Sequence, residues 1–470
     1  MNVASVLVSE RPGPALSAGE ATLTHVDLGR AAAQAAGGLV GLGVAPGDRV
    51  AILAGNTPIF VTAYLATLWA GGVAVPVDPK SGVGELGRRL AEVEPRAAVV
   101  DTAGRDGFVA ALTDSDAAPV VVAACDGMEG VEKWDMITAA APTPQVERDD
   151  ADVAVLLFTA GTGGPPKAAM LTHGNLASNI RQVLDHPGLA LRETDVGVGA
   201  LPLFHIYGLN VALGVTLAAG AHLILVDHFD PAATTTLVSS RRATVLAGVP
   251  AMYGAWLAVA DTPADAFASV RLAVSGAAPL PLEIAAAFEA RFGIVVHEGY
   301  GLTEASPIVT TAAVSGDPHP GSIGPPLPGV EVRLVDTDGT DVLPGDPGQI
   351  WVRGPNVFPG YWRAPDATAA ALTADGWLRT GDIAVADESG WLSVVDRAKD
   401  LVIVSGFNVF PAEVEEVLLA HPDVAEAAVV GEPDPRTGER LVAFVVPEPG
   451  LQPDTGALTA WTARQLARYK

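Results

Sequence analysis

The run Leu157-Phe158-Thr159-Ala160-Gly161-Thr162-Gly163-Gly164-Pro165-Pro166-Lys167 joins glycine-freed backbone donors, two hydroxyls and a terminal cation. Such a loop suits a polyphosphate, because main-chain N–H groups can turn toward the anion with no Cβ in the way. Lysine is scarce in the chain: Lys80, Lys133, Lys167, Lys399 and Lys470 are the only five. The P-loop pattern GxxxxGK[ST] does not fit, since two prolines precede Lys167 and Ala168 follows it. A dinucleotide fingerprint fails as well, because the prolines remove N–H donors where its helix would start. The competing reading of this segment alone is an ordinary Gly/Pro turn after a buried strand, Val153 to Phe158.

Two further clusters carry chemistry. His297-Glu298-Gly299-Tyr300-Gly301-Leu302-Thr303-Glu304 follows the strand-like Gly293 to Val296. Loops leaving the strand ends are the binding edge of open α/β sheets. An aromatic, a hydroxyl and a carboxylate at this spacing could stack on a purine, bond a phosphate and hold Mg²⁺, or form a turn with a solvated glutamate. The third cluster is Gly376-Trp377-Leu378-Arg379-Thr380-Gly381-Asp382, continued by Asp396-Arg397-Ala398-Lys399-Asp400 and by Ser405-Gly406-Phe407-Asn408-Val409-Phe410-Pro411-Ala412-Glu413. There Asp382 is suited to accept both hydroxyls of a ribose, with Arg397 as a nearby donor. Trp377 and Trp391 read as packing residues.

The elements that must hold these clusters alternate. Strand-like runs at Arg49 to Ala54, Val73 to Val77, Ala97 to Val100, Leu223 to Val226, Thr244 to Ala247 and Leu272 to Ser275 are separated by Ala-rich helical stretches such as Ile59 to Ala70 and Asn175 to Leu184. This alternation predicts an α/β fold of mostly parallel, helix-covered sheets. After about Pro318 the texture turns to short strands and Gly/Pro turns, at Val330 to Val335, Gly348 to Val352 and Trp391 to Val395, which predicts a β-rich lobe. A last α+β pattern follows, with a strand at Leu401 to Val404, a helix at Pro411 to Leu419 and strands at Val424 to Val430 and Leu441 to Val446.

At 470 residues, 49% of them hydrophobic, the chain exceeds one compact core and predicts more than one domain. Its formal charge of −26 argues against nucleic acid or an anionic membrane as a standing partner. A bound nucleotide would need local cations, including a metal. Cys125 is the single cysteine, which rules out an intramolecular disulfide and fits a reducing cytoplasm. The amino terminus lacks the pattern of a secretory signal. The apolar stretch Gly208 to Val226 carries Asn210, His222 and several glycines, and reads as buried helix and strand rather than a transmembrane segment.

Taken in this order and spacing, the three clusters resemble the adenylate-forming superfamily of acyl-CoA synthetases, luciferases and peptide-synthetase adenylation domains. The likeness runs from about Thr22 to Lys470. It is nearest to bacterial medium- and long-chain fatty-acyl-CoA ligases and coumarate-CoA ligases, as in Leu201-Pro202-Leu203-Phe204-His205-Ile206-Tyr207, Gly299 to Pro307 and Asp396 to Glu413. The resemblance implies a large N-terminal domain, 1–396, that includes a β-rich lobe from about 318. It implies a hinge at 397–400 and a small mobile C-terminal domain, 400–470, that is incomplete.

By the same resemblance, Thr159, Gly161, Thr162, Gly164 and Lys167 form the phosphate loop. Gly299, Tyr300 and Gly301 border and stack on adenine, Thr303 contacts the α-phosphate, Glu304 is the Mg²⁺ ligand, and Asp382 and Arg397 contact ribose. The turn Ser275-Gly276-Ala277-Ala278-Pro279 lies between adenine and the acyl pocket, which His205, Tyr207, Gly276 and Ala277 line. Lys167, Thr303, Glu304 and His205 carry catalysis, His205 as a gate beside the carboxylate. Lys399 is the hinge residue, and Ser405, Gly406, Phe407 and Asn408 lie on the CoA side. ATP, Mg²⁺, CoA and a small-molecule carboxylic acid are the implied partners, in a monomer or homodimer.

The sequence departs from the family pattern in two places. Ala160 and Gly163 stand where the family carries serine and threonine, so two phosphate hydroxyl donors are missing. Losing such charge-assisted bonds costs about 1.5 to 3 kcal/mol each where nothing substitutes, which predicts slower adenylation. The C-terminal lysine of the family has no counterpart here, and Lys470 does not take its place. The expected function is therefore ATP-dependent conversion of a medium- or long-chain fatty acid to its CoA thioester through acyl-AMP. The alternatives are an aryl-acid or coumarate-type ligase, since Tyr207, Tyr253 and the small Gly276-Ala277-Ala278 turn could line either pocket, and a weakened protein that binds ATP or acyl-adenylate.

Overall fold

Short Val- and Ala-rich runs that are buried on both faces form the parallel centre of the first sheet. The computed structural model describes the chain except residues 114–118, 129, 160–165, 315–318, 398–401, 405–406, 435–437 and 467–470. Seven strands run in the order Glu132–Lys133, Val120–Ala123, Ala97–Val100, Arg49–Leu53, Val73–Pro76, Val153–Thr159 and Lys167–Thr172. All neighbours are parallel except the last pair, a hairpin. Continuous apolar strands of this kind need helices on both faces. One of these, Pro58–Trp69, starts with proline in its first turn, is capped by Thr57, and is itself almost wholly buried. Another, His173–Asp185, leaves the strand Lys167–Thr172 through a reciprocal capping box between Thr172 and Asn175.

The second sheet has eight strands in the order Ile308–Thr311, Val296–Gly301, Leu272–Ser275, Val245–Gly248, Val196–Gly199, His222–Leu225, Pro14–Ala18 and Ala21–Thr24. Its interior pairs are parallel and its two outermost pairs antiparallel. One face is packed by edge-on aromatics: Tyr253 lies 5.4 Å from Trp256 and 5.2 Å from Phe288. The expected helix-then-strand reading of Gly208 to Val226 is realised as a π-helix at Tyr207–Val215, a short helix at Thr216–Ala219 and the strand His222–Leu225. No helix among the described residues is long and apolar enough to cross a membrane.

Two compact units emerge, one of residues 1–331 with 352–378 and one of 332–351 with 379–470. The second unit contains most of a four-stranded sheet ordered Glu331–Val335, Gly348–Arg353, Leu378–Ala386 and Leu392–Arg397. It also contains the sheet Phe407–Val409, Val402–Val404, Gly438–Pro447 and Val424–Asp434, packed by the helices Pro411–Leu419 and Thr455–Gln465. By compactness the β-rich strands group with the C-terminal residues. The expected boundary at 396 follows a hinge instead, and it remains a proposal.

The α/β class and the mostly parallel sheets are as expected. One strand differs. Gly293 to Val296 was the expected strand, with the motif residues in the loop beyond it, but the strand is Val296–Gly301 and carries them. The extension forms because these residues pair with Leu272–Ser275 on one side and Ile308–Thr311 on the other. Gly301 permits the second pairing: a Cβ there would lie 2.2 Å from the Pro307 carbonyl oxygen.

Candidate active site

Four parallel strands, Val196–Gly199, Val245–Gly248, Leu272–Ser275 and Val296–Gly301, stand side by side and deliver their carboxyl ends to one edge. That edge is where open α/β sheets bind ligands. From it emerge His205, the turn at Gly276 to Ala278, and the run from Gly299 to Glu304. Tyr300 is half-buried and pairs with Thr310 across the strands. Thr303 and Glu304 open a one-turn 3₁₀-helix, Thr303–Ala305, directly beyond the strand.

Four asparagines fix this segment by bonding its main chain. Asn356 Nδ2 donates to the Ala305 carbonyl at 2.8 Å, and Asn210 Nδ2 donates to that of Ser306 at 2.7 Å. Asn179 donates to the Ile308 carbonyl at 2.8 Å and accepts from its N–H at 3.2 Å. Asn175 donates to the carbonyls of Pro355 and Val357, tying in the segment that holds Asn356. All four side chains are buried. Buried amides bonded in this way orient a loop, since each lost partner would leave a desolvated polar group.

On the phosphate side, Thr159 and Lys167 face each other across the hairpin, at the mouth of the glycine-rich loop. Ala160, Gly161, Thr162, Gly163 and Gly164 lie outside the described residues. The Lys167 Nζ sits 5.6 Å from the centroid of the Tyr361 ring. The same tyrosine donates its hydroxyl to Glu304 Oε1 at 2.7 Å. Tyr361 thus links the expected phosphate cation to the expected metal ligand. Nothing in the sequence pattern singles it out. A tertiary pairing reveals it: the Trp362 N–H donates to the Ala168 carbonyl at 2.8 Å, and the Met170 N–H donates to that of Gly360 at 3.0 Å.

Glu304 fits a divalent cation of the magnesium type. Its Oε1 is held by Tyr361, and no cluster of three or more His, Cys, Asp or Glu side chains stands ready to hold a metal among the described residues. A hard cation that keeps phosphate oxygens and water as its other ligands needs only such a single carboxylate.

His205, Tyr207 and Gly276, the residues expected on the acyl side, lie close together at this edge. His205 is exposed, yet the protein packed around its ring lowers its pKa below the ordinary 6.5, against the opposing pull of Asp78. Tyr207 starts the π-helix, and its ring packs over Gly276, where a Cβ would meet Tyr207 Cε1 at 3.4 Å and the Gly299 carbonyl at 3.2 Å. Ala277, next in the turn, holds φ at +68°, a left-handed conformation that costs a non-glycine residue about 1 kcal/mol. Tyr253, expected as an alternative pocket wall, is instead fully buried behind the strands and donates to the Val274 carbonyl at 2.8 Å.

Glu298 is a second residue that the motif reading left without a role. It lies opposite Ser275, and its Oε1 accepts from the Leu280 N–H at 3.1 Å, which braces the far end of the Gly276–Ala278 turn. Burial pushes its carboxyl up to about 7, against the lowering effect of that hydrogen bond.

In the second unit, Asp382 and Arg397 are direct cross-strand partners, so the two expected ribose contacts come from neighbouring positions of one antiparallel pair. The Asp382 N–H donates to Thr380 Oγ1 at 3.1 Å. Lys399, Ser405 and Gly406 lie outside the described residues. Phe407 and Asn408 lie on the strand Phe407–Val409.

Comparison with known proteins shows the family to which the chain belongs. The family model described as AMP-binding enzyme matches residues 8–362, and that of the AMP-binding enzyme C-terminal domain matches 413–470. A feruloyl-CoA synthase of Amycolatopsis sp is 39% identical over 455 residues, covering 96% of this chain and 89% of that one. A long-chain-fatty-acid–CoA ligase of Bacillus subtilis (strain 168) is 34% identical over 465 residues, covering 91% and 81%. Among solved structures, ATP-bound MatB from Rhodopseudomonas palustris superposes with a TM-score of 0.92 at 36% identity, covering 100% of this chain and 93% of that one. The anthranilate-CoA ligase AuaEII in complex with anthranoyl-AMP gives 0.90 at 26% identity, covering 100% and 92%.

Proposed function

The chain belongs to the AMP-binding enzyme family, and from that premise we propose that this ATP-dependent acid–CoA ligase acts on a compact, planar carboxylic acid of the aryl type. The carrying observation is the packing at Tyr207. Its ring closes over Gly276 and rests on the buried cluster that contains Tyr253, Trp256 and Phe288. Packing of this kind beside His205 favours a short, flat acyl group over a long chain. The 39% identity to the feruloyl-CoA synthase supports the same reading. The medium- or long-chain fatty acid expected from sequence ranks second, supported by the 34% identity to the Bacillus subtilis enzyme.

The chemistry follows from charge. A carboxylate is already ionised at pH 7 and needs no general base. It needs positioning in line with the α-phosphorus and relief from anion repulsion. In the proposed mechanism the carboxylate oxygen bonds to the α-phosphorus and pyrophosphate leaves. The CoA thiol then displaces AMP at the acyl carbon. Lys167 would bind the departing phosphates, Thr303 the α-phosphate, and Tyr300 the adenine. Asp382 and Arg397 would hold the ribose, with Lys399 as the hinge between the two half-reactions. Glu304 would hold the metal, which when bound neutralises phosphate charge.

The test is carboxylate-dependent pyrophosphate exchange with benzoate, ferulate, octanoate and palmitate, followed by thioester formation with CoA. The aryl acids should give the highest kcat/KM, and palmitate exceeding them would return the fatty-acid reading. Exchange with none of the acids would favour a protein that only binds ATP or acyl-adenylate. Lys167→Ala and Glu304→Gln should each lower exchange by about 10²-fold or more with the fold intact. Near-normal rates in both would remove the site assignment.

A further inference from the structure

We infer that Tyr361 is a positioning residue for adenylation, holding the metal-binding carboxylate and the phosphate-binding lysine apart and ready for MgATP. This inference rests on the roles proposed above for Lys167 and Glu304. The two charges that ATP requires have opposite sign and approach the same ring. Left to themselves in an empty site, an ammonium and a carboxylate pair directly, and each is then withdrawn from its ligand. Tyr361 stands between them. Its hydroxyl satisfies Glu304 Oε1 at 2.7 Å, and its π-face attracts Lys167 Nζ, 5.6 Å from the ring centroid. Among the described residues neither Lys167 nor Glu304 enters an ion pair.

The tyrosine is built to stay where it is. Residues 358–362 form a strap that touches both halves of the site through its backbone. The Phe358 N–H donates to the Glu304 carbonyl at 2.9 Å, while Gly360 and Trp362 bond the strand that begins at Lys167. The Tyr361 N–H donates to Thr368 Oγ1 at 2.9 Å, which anchors the strap to the helix Pro365–Ala371. The Phe358 ring stacks edge-on at 4.9 Å and fixes the orientation of the phenol. A hydroxyl gives one proton to one carboxylate oxygen. Glu304 Oε2 accepts no hydrogen bond among the described residues, so it would remain available to a metal.

Tyr361→Phe separates positioning from packing, because the ring, its stack on Phe358 and its face toward Lys167 all remain. Calorimetric binding of ATP with Mg²⁺ and with EDTA is compared for wild type, Tyr361→Phe and Glu304→Gln, together with melting temperature and the Mg²⁺ dependence of pyrophosphate exchange. Tyr361→Phe should raise the half-saturating Mg²⁺ concentration and the Kd for MgATP about ten- to a hundredfold, as expected for a lost hydrogen bond to a charged group. Metal-free ATP binding, the KM for the acid and the melting temperature should hold. Tyr361→Leu, which also removes the ring face, should weaken metal-free ATP binding as well. Wild-type Mg²⁺ dependence in Tyr361→Phe would overturn the inference, and so would an equal loss with and without metal accompanied by a lower melting temperature. If Glu304→Gln also keeps wild-type Mg²⁺ dependence, the site assignment itself is what fails.

Discussion

Glu298→Gln offers a sharp stability experiment, because the carboxyl is pushed from an ordinary 4.5 up to about 7, chiefly by burial. A folded-state value above the unfolded one means that folding takes up a proton between those limits. The resulting stabilisation is complete below about pH 4.5, declines as pH rises, and is lost once pH passes about 7. At about 1.4 kcal/mol per tenfold, the interval amounts to about 3 kcal/mol. Glutamine is isosteric with the protonated acid, keeps an acceptor for the Leu280 N–H, and does not titrate. The variant should therefore match wild type near pH 4.5 and exceed it by about 3 kcal/mol at pH 8. For a unit of about 360 residues this corresponds to a melting-temperature gap of roughly 4 °C. Melting curves of both proteins at half-unit pH steps supply the comparison. Parallel profiles for the two would show that Glu298 carries its charge at no cost, and would refute the assignment of burial as the cause.

Three other substitutions probe the frame of the site. Gly301→Ala places a Cβ 2.2 Å from the Pro307 carbonyl oxygen and forces the backbone to move, so it should cost about 1 to 3 kcal/mol and depress pyrophosphate exchange by displacing Thr303 and Glu304. Gly276→Val adds bulk against Tyr207 and the Gly299 carbonyl, and should raise the KM for the acid many-fold more than that for ATP in steady-state assays. Asp195, whose side chain is 3% exposed, accepts from Arg271 Nε at 2.8 Å and from Thr244 Oγ1 at 2.8 Å. Asp195→Ala should destabilise the second sheet by about 3 to 5 kcal/mol in denaturant unfolding, since it leaves Arg271 without its counter-charge and with only the Ala190 carbonyl to bond.

Much of the fold was legible because buried parallel strands write themselves as apolar runs: Arg49–Leu53, Ala97–Val100 and Leu272–Ser275 fall where the sequence places them. The failures share a cause. Val296–Gly301 and Leu378–Ala386 carry His, Glu, Gly, Arg, Thr and Asp at site positions, so their pattern reads as loop although their hydrogen bonds make them strands. Tyr253 and Tyr207 are alike in composition and neighbourhood. Only packing distinguishes the first, fully buried in the aromatic cluster, from the second, half-exposed at the site. Tyr361 escaped for a different reason. It is 57 residues from Glu304 along the chain, and no local pattern announces a partner that distant.

The strap at residues 358–362 has a consequence beyond the site. The strand Lys167–Thr172 is the outermost of its sheet, and an outer strand offers a row of unsatisfied amides and carbonyls to any passing chain. The bonds from Met170 to Gly360 and from Trp362 to Ala168 occupy part of that row. The segment that carries Tyr361 thus also covers part of the open edge of the strand that begins at Lys167. Variants that loosen its backbone should reveal themselves first as aggregation during expression, before any loss of turnover can be measured.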